Sequence, residues 1–144
     1  VIALADEPRA SSADIMQRLR ALGVKQLVML TGDNEAVAKR IAAKVGLTDV
    51  RAGLLPENKL TAIRELERQH GAIAMVGDGV NDAPALAAAT VGVAMGAAGT
   101  AVALETADVA LMGDDLSRLP FAVGLSRASR RIIVQNLVIA MGVI

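Results

Sequence analysis

The sequence predicts an α/β fold, a parallel sheet covered by helices on both faces, and three observations carry that expectation. Short apolar runs alternate with amphipathic stretches over residues 1–115. Glycine or proline stands at several of the junctions. The sharpest glycine turn, Gly77-Asp78-Gly79, follows directly on an apolar run. With 144 residues, 53% of them hydrophobic, the chain can build one domain around a buried core.

Taken in order, Ile2–Ala5 reads as a buried strand and Ala13–Leu22 as a helix, with Gly23 where a left-handed cap is needed. Gln26–Leu30 is a second strand, followed by a helix over Ala36–Val45 that Gly46 closes. Arg51–Leu54 reads as a strand. Pro56 then opens a helix over Glu57–Gln69, at a position where its missing N–H costs nothing. Ala72–Val76, Val91–Met95 and Val109–Met112 complete the strands, and Asp82–Ala88 is a short helix between the first two. Lone His70 reads as a helix C-terminal residue, and the six scattered methionines as core filler.

From Leu116 the alternation stops. Leu119, Val123, Ser126, Arg130, Ile133, Leu137 and Ala140 keep helical spacing, which predicts a long C-terminal helix. As a helix, residues 132–144 would span about 20 Å, against about 30 Å for a hydrocarbon core, so the segment is too short to cross a membrane. On its own spacing it fits a buried core helix equally well.

Formal net charge is zero, and Phe121 is the single aromatic residue. Both facts argue against nucleic acid as a partner, since there is neither a basic field nor a set of rings for stacking bases. The charge is unevenly placed: after Asp115 come Arg118, Arg127, Arg130 and Arg131 with no acidic residue. The absence of cysteine excludes disulfides and thiolate metal sites within these residues. There is no signal peptide, and the chain reads as a piece of a longer protein.

The strongest chemical signal is Gly77-Asp78-Gly79-Val80-Asn81-Asp82-Ala83-Pro84. It stands at a strand C-terminus, where open parallel sheets place their ligands. Asp78 and Asp82 offer hard oxygen donors of the kind that suits Mg²⁺ together with phosphate oxygens. An acidic turn without a ligand is the plain alternative. Thr31-Gly32-Asp33-Asn34 ends another strand and opens a helix, offering a hydroxyl and an unobstructed N–H to a phosphoryl group. Asp33 or Asn34 could equally be an ordinary N-cap. Lys59 lies in the first turn of its helix, against the dipole, which marks either a functional site or a solvated lysine. Together the three loops suit phosphoryl transfer. No Gly-x-x-x-x-Gly-Lys-Ser/Thr loop is present.

These motifs resemble the haloacid-dehalogenase-like phosphorylation domain of P-type ATPases. The resemblance rests on Met29-Leu30-Thr31-Gly32-Asp33-Asn34 and on Gly77 to Leu86, with Asp6-Glu7-Pro8-Arg9 upstream. Val93-Ala94-Met95-Gly96 and Glu105 to Leu111 narrow it to the heavy-metal branch. It implies a Rossmann-like fold, with Asp78 a Mg²⁺ ligand and Asp82 supporting the Mg²⁺/phosphate site. Asn81 would hydrogen-bond near the phosphoryl group, Thr31 and Gly32 would bind its oxygens, Lys59 would neutralise them, and Asp33 would lie near ATP. Residues 1–115 would be the C-terminal part of the phosphorylation domain, and 116–144 a connecting helix and the start of a membrane helix. Gln135-Asn136-Leu137 carries that last likeness.

The resemblance implies an ATP-driven pump on the cytoplasmic face of the cell membrane, exporting a heavy-metal ion through an aspartyl-phosphate. The remaining nucleotide-binding, actuator and transmembrane domains of the same protein are its partners. Zinc, cadmium or cobalt fits the C-terminal segment slightly better than copper. The Asp-Lys-Thr-Gly-Thr motif that carries the phosphorylated aspartate is absent from the 144 residues. The chain alone is therefore expected to be inactive, with a central strand missing from its sheet. The alternatives are a soluble phosphatase of the same superfamily, which needs an Asp-x-Asp nucleophile motif, and a non-catalytic binding module.

Overall fold

The computed structural model describes residues 12–77, 82–96, 105–113 and 115–142. The expected strand Ile2–Ala5 lies outside them. Ten elements follow in chain order: α1 (Ser12–Ala21), β1 (Val28–Leu30), α2 (Glu35–Val45), β2 (Asp49–Arg51), α3 (Pro56–His70), β3 (Ala74–Gly77), α4 (Ala83–Ala88), β4 (Val91–Met95), β5 (Val109–Leu111) and α5 (Arg118–Gly142).

Local chemistry explains the helix ends. Asn34 caps α2, its side chain accepting from Val37 N at 3.0 Å. Gly46 closes the helix at φ +76°, where a side chain would be strained. Arg20 at the end of α1 donates to the carbonyl of Gly46, bringing a cation to the negative end of α2. Pro56 occupies the first turn of α3, and exposed His70 is the last residue of that helix.

The strands are all parallel, but they form two sheets: β2–β1 and β3–β4–β5. Among the described residues no ladder joins β1 to β3. Side chains alternate across the larger sheet. Val76 and Val93 face α1 and the start of α5, packing with Ile15, Leu19, Leu111 and Leu119. Met75 faces the other way, into a cluster with Ile63 of α3 and Ala85 and Leu86 of α4. Leu30 of β1 packs against that same cluster, so an apolar contact spans the gap that hydrogen bonds leave open. At Gly92, opposite Met75, an added Cβ would come within 2.7 Å of the Leu86 carbonyl oxygen. The glycine lets α4 lie close on the sheet.

One expectation needs correction. The strand placed at Arg51–Leu54 is in fact Asp49–Arg51. Beyond Arg51 the chain turns at Gly53, φ +66°, whose N–H donates to Asp33 O at 2.7 Å. The apolar pair Leu54-Leu55 suggested a buried strand, yet Leu55 is exposed and extended at the N-cap of α3. For α5, the alternative of a buried core helix does not hold among the described residues. Of its side chains only Leu119 and Pro120 are buried, while Phe121, Leu125 and the apolar residues from Ile132 to Met141 are exposed. No described helix is long and apolar enough to cross a membrane. The methionines also divide: Met75 is in the core, whereas Met112 and Met141 are exposed.

Candidate functional site

Three segments approach one another at the C-terminal ends of β1 and β3. After β1, Thr31 N donates to Arg51 O at 3.0 Å and Leu54 N donates to Thr31 O at 3.0 Å. These bonds tie the Thr31 loop to the segment that leads into α3. The Thr31 hydroxyl accepts from Asp33 N and donates to the Asp33 carboxylate, both at 3.1 Å. Asp33 therefore orients Thr31, and the capping role belongs to Asn34. Gly32 is exposed beside them.

Lys59 stands in the first turns of α3, and its ammonium meets Asp82 Oδ1 at 2.6 Å. The side chains are 17% and 15% exposed, so this is no solvated surface lysine. The pair resolves the local conflict with the helix dipole: the unfavourable end of α3 is offset by a carboxylate from the β3–α4 loop. It joins α3, the element after β2, to the segment between β3 and α4.

Gly77 has a part in the site that the sequence did not show: it ends β3 in regular pairing with Ala94. A Cβ there would lie 2.8 Å from Asp82 Oδ2 and 2.9 Å from Asp82 Cβ. Its missing side chain is the space that Asp82 occupies. Close backbone approach is the reason for glycine at this point. A glycine at a strand end ahead of a carboxylate was the signal available.

Asp78 and Asn81 lie outside the described residues. Among the described residues no cluster of three acidic, histidine or cysteine side chains could cage a metal. Mg²⁺ is commonly held by one or two carboxylates together with phosphate oxygens and water. Chemically, Asp82 is a mostly buried hard carboxylate, while the Lys59 ammonium and the Thr31 hydroxyl are groups that could donate to phosphoryl oxygens.

Comparison with known proteins gives the family. The haloacid dehalogenase-like hydrolase family matches residues 1–90. A probable cadmium-transporting ATPase of Staphylococcus aureus (strain MRSA252) is 57% identical over 143 residues, 99% of this chain and 20% of that protein. A manganese-exporting P-type ATPase of Mycobacterium leprae is 55% identical over 119 residues, 83% of this chain and 16% of that protein. The crystal structure of a zinc-transporting PIB-type ATPase in the E2.Pi state superposes with a TM-score of 0.86 at 52% identity, covering 97% of this chain and 23% of that one. The catalytic domain of the CPx-ATPase CopB-B gives 0.70 at 34% identity, over 81% of this chain and 46% of that one. The chain thus spans about a fifth of the length of the cadmium-transporting relatives it matches. Such similarity over nearly every residue sets aside the reading as a soluble phosphatase. The chain belongs to the haloacid dehalogenase-like hydrolase family, in its heavy-metal P-type ATPase branch.

Proposed function

We propose that the whole protein is an ATP-driven pump exporting a divalent heavy-metal cation through an aspartyl-phosphate, and that this chain supplies the Mg²⁺ and phosphoryl-binding half of its phosphorylation site. The observation that carries the proposal is the Lys59–Asp82 pair, set where the β1 and β3 segments converge. Asp78, four residues before Asp82, would be the Mg²⁺ ligand, and Asp82 would support the Mg²⁺/phosphate site. When bound, the ion offsets the charge that develops on the transferring phosphoryl group. Lys59 balances Asp82 at rest and neutralises a phosphoryl oxygen when one is present. Thr31, Gly32 and Asn81 donate hydrogen bonds to the remaining oxygens, and Asp33 holds the Thr31 hydroxyl in place near the nucleotide.

The aspartate that accepts phosphate comes from the Asp-Lys-Thr-Gly-Thr segment of the same protein, outside these 144 residues. The relatives' names span cadmium, manganese and zinc, and we assign this pump to zinc or cadmium, consistent with Gln135-Asn136-Leu137. Residues 1–115 lie on the cytoplasmic face of the membrane, and 116–144 join them to a membrane helix.

In the full-length protein, Asp82→Ala should lower acid-stable phosphoenzyme formation from radiolabelled ATP by at least about 100-fold. Lys59→Ala should lower it less, because the metal and the other donors remain. Zinc- or cadmium-dependent phosphorylation at the unsubstituted rate in Asp82→Ala would refute the assignment.

A further inference from the structure

Three arginines of α5 form a basic collar directly before its exposed apolar stretch. Arg127, Arg130 and Arg131 are all exposed, and their spacing of three and four residues puts them on one face of the helix. Arg118 lies nine residues before Arg127, two and a half turns away and on the opposite face, where its Nε is 3.7 Å from Asp115 Oδ2. No acidic residue follows Asp115, so nothing on α5 itself balances the collar. One member of the collar also touches the rest of the domain. The Arg127 guanidinium lies over Gly23 at the end of α1, with Nη1 3.0 Å from where a Cβ would stand.

Helix geometry sets the depth of the collar. If Ile132 marks the start of the hydrocarbon, Arg131, Arg130 and Arg127 lie about 1.5, 3 and 7.5 Å outside it along the axis. The polar headgroup layer is about 5–7 Å thick on each side of a bilayer. Arginine side chains are long enough to cover the small excess for Arg127. Arg118, about 21 Å out, is beyond the layer. The exposed apolar residues Ile133, Val134, Leu137 and Val138 follow on the membrane side.

We infer that Arg127, Arg130 and Arg131 bind the phosphates of anionic phospholipids and so tie the phosphorylation domain to a negatively charged bilayer surface. The inference rests on the proposed entry of α5 into a membrane. A cationic side chain of either kind is drawn to net negative lipid, whereas a zwitterionic headgroup offers the same phosphate with its charge already balanced. Preference for net anionic lipid is therefore the signature of the collar.

The test uses the full-length protein reconstituted in equal amounts of phosphatidylglycerol and phosphatidylcholine, then extracted in mild detergent, with retained lipids counted by mass spectrometry. Phosphatidylglycerol should be retained about fivefold over phosphatidylcholine, the effect of roughly one arginine near an anionic surface. The ratio should fall towards one in R127Q/R130Q/R131Q, persist in R127K/R130K/R131K, and be unchanged in R118Q. A ratio near one in the unsubstituted protein would overturn the inference, as would loss of the preference in the lysine variant or an equal loss in R118Q. Metal-dependent phosphoenzyme formed by the same preparations tests the pump reading separately. Lipid preference without phosphoenzyme would keep the collar and remove the pump, and the reverse result would remove only the collar.

Discussion

Asp82 lies as close to Gly77 as a side chain can, and that contact gives the first expectation. Gly77→Ala places a methyl group within 3 Å of both Asp82 Cβ and Oδ2, so the carboxylate must move. The Lys59 contact at 2.6 Å cannot survive a shift of an ångström or more unchanged. In the full-length protein the substitution should reduce phosphoenzyme formation by about 100-fold, the usual cost of misplacing a catalytic group by an ångström. An unchanged rate would show that Asp82's position does not matter. A smaller effect is expected at Asp115, whose carboxyl is held below its ordinary value of 3.8, first by the Ser117 hydroxyl, then by the Ser117 N–H and the Arg118 charge. A depressed folded value means the contribution is complete above the ordinary value and fades as pH falls through the lower one. The difference in urea midpoint between the chain and Asp115→Ala should accordingly shrink below about pH 4. A difference that is constant down to pH 2 would contradict it. Sequence alone marked Thr31, Lys59 and Asp82 as candidates, because each sits where a strand ends or a helix begins. It did not show that Lys59 answers Asp82, since 23 residues separate them and only the fold brings them together.

At the scale of elements, the two sheets are held together by side chains rather than by a ladder. Leu86 is fully buried and touches both sides of the gap through the cluster it shares with Ile63, Met75 and Leu30. Leu86→Ala should cost about 2–5 kcal/mol, read as a lower urea midpoint with an unchanged slope. A cost under 1 kcal/mol would mean that the cluster does not join the sheets. The order and type of nearly every described element were legible, because caps such as Asn34, Gly46 and Pro56 mark the helix ends. β2 was misplaced because it is a three-residue strand of half-buried residues beginning with Asp49, which gives no apolar run to read. The exposure of α5 was equally hidden. Its spacing fits a buried helix as well as a membrane helix, and only the structure shows Phe121 and Leu125 exposed.

At the scale of the molecule, β1 pairs only with β2 and β3 only with β4 among the described residues, so each presents an unpaired edge to the other. Backbone groups buried without partners cost about 1–3 kcal/mol each, and exposed edges invite pairing with other chains. The chain alone is thus expected to be marginally stable. A strand carrying Asp-Lys-Thr-Gly-Thr is expected between β1 and β3, where Thr31 follows one strand and the Lys59–Asp82 pair bridges from α3 to the segment after the other. That expectation came from the absent motif, whereas the packing of Leu30 on the Met75 and Leu86 cluster gave no signal in the sequence. The most direct measurement mixes this chain with a polypeptide carrying the Asp-Lys-Thr-Gly-Thr segment and nucleotide-binding domain of the same protein, adds radiolabelled ATP and Mg²⁺, quenches in acid, and locates the label. The label should appear on the second polypeptide, and only when this chain is present. Label on this chain, or equal labelling of the second polypeptide without it, would contradict the assignment.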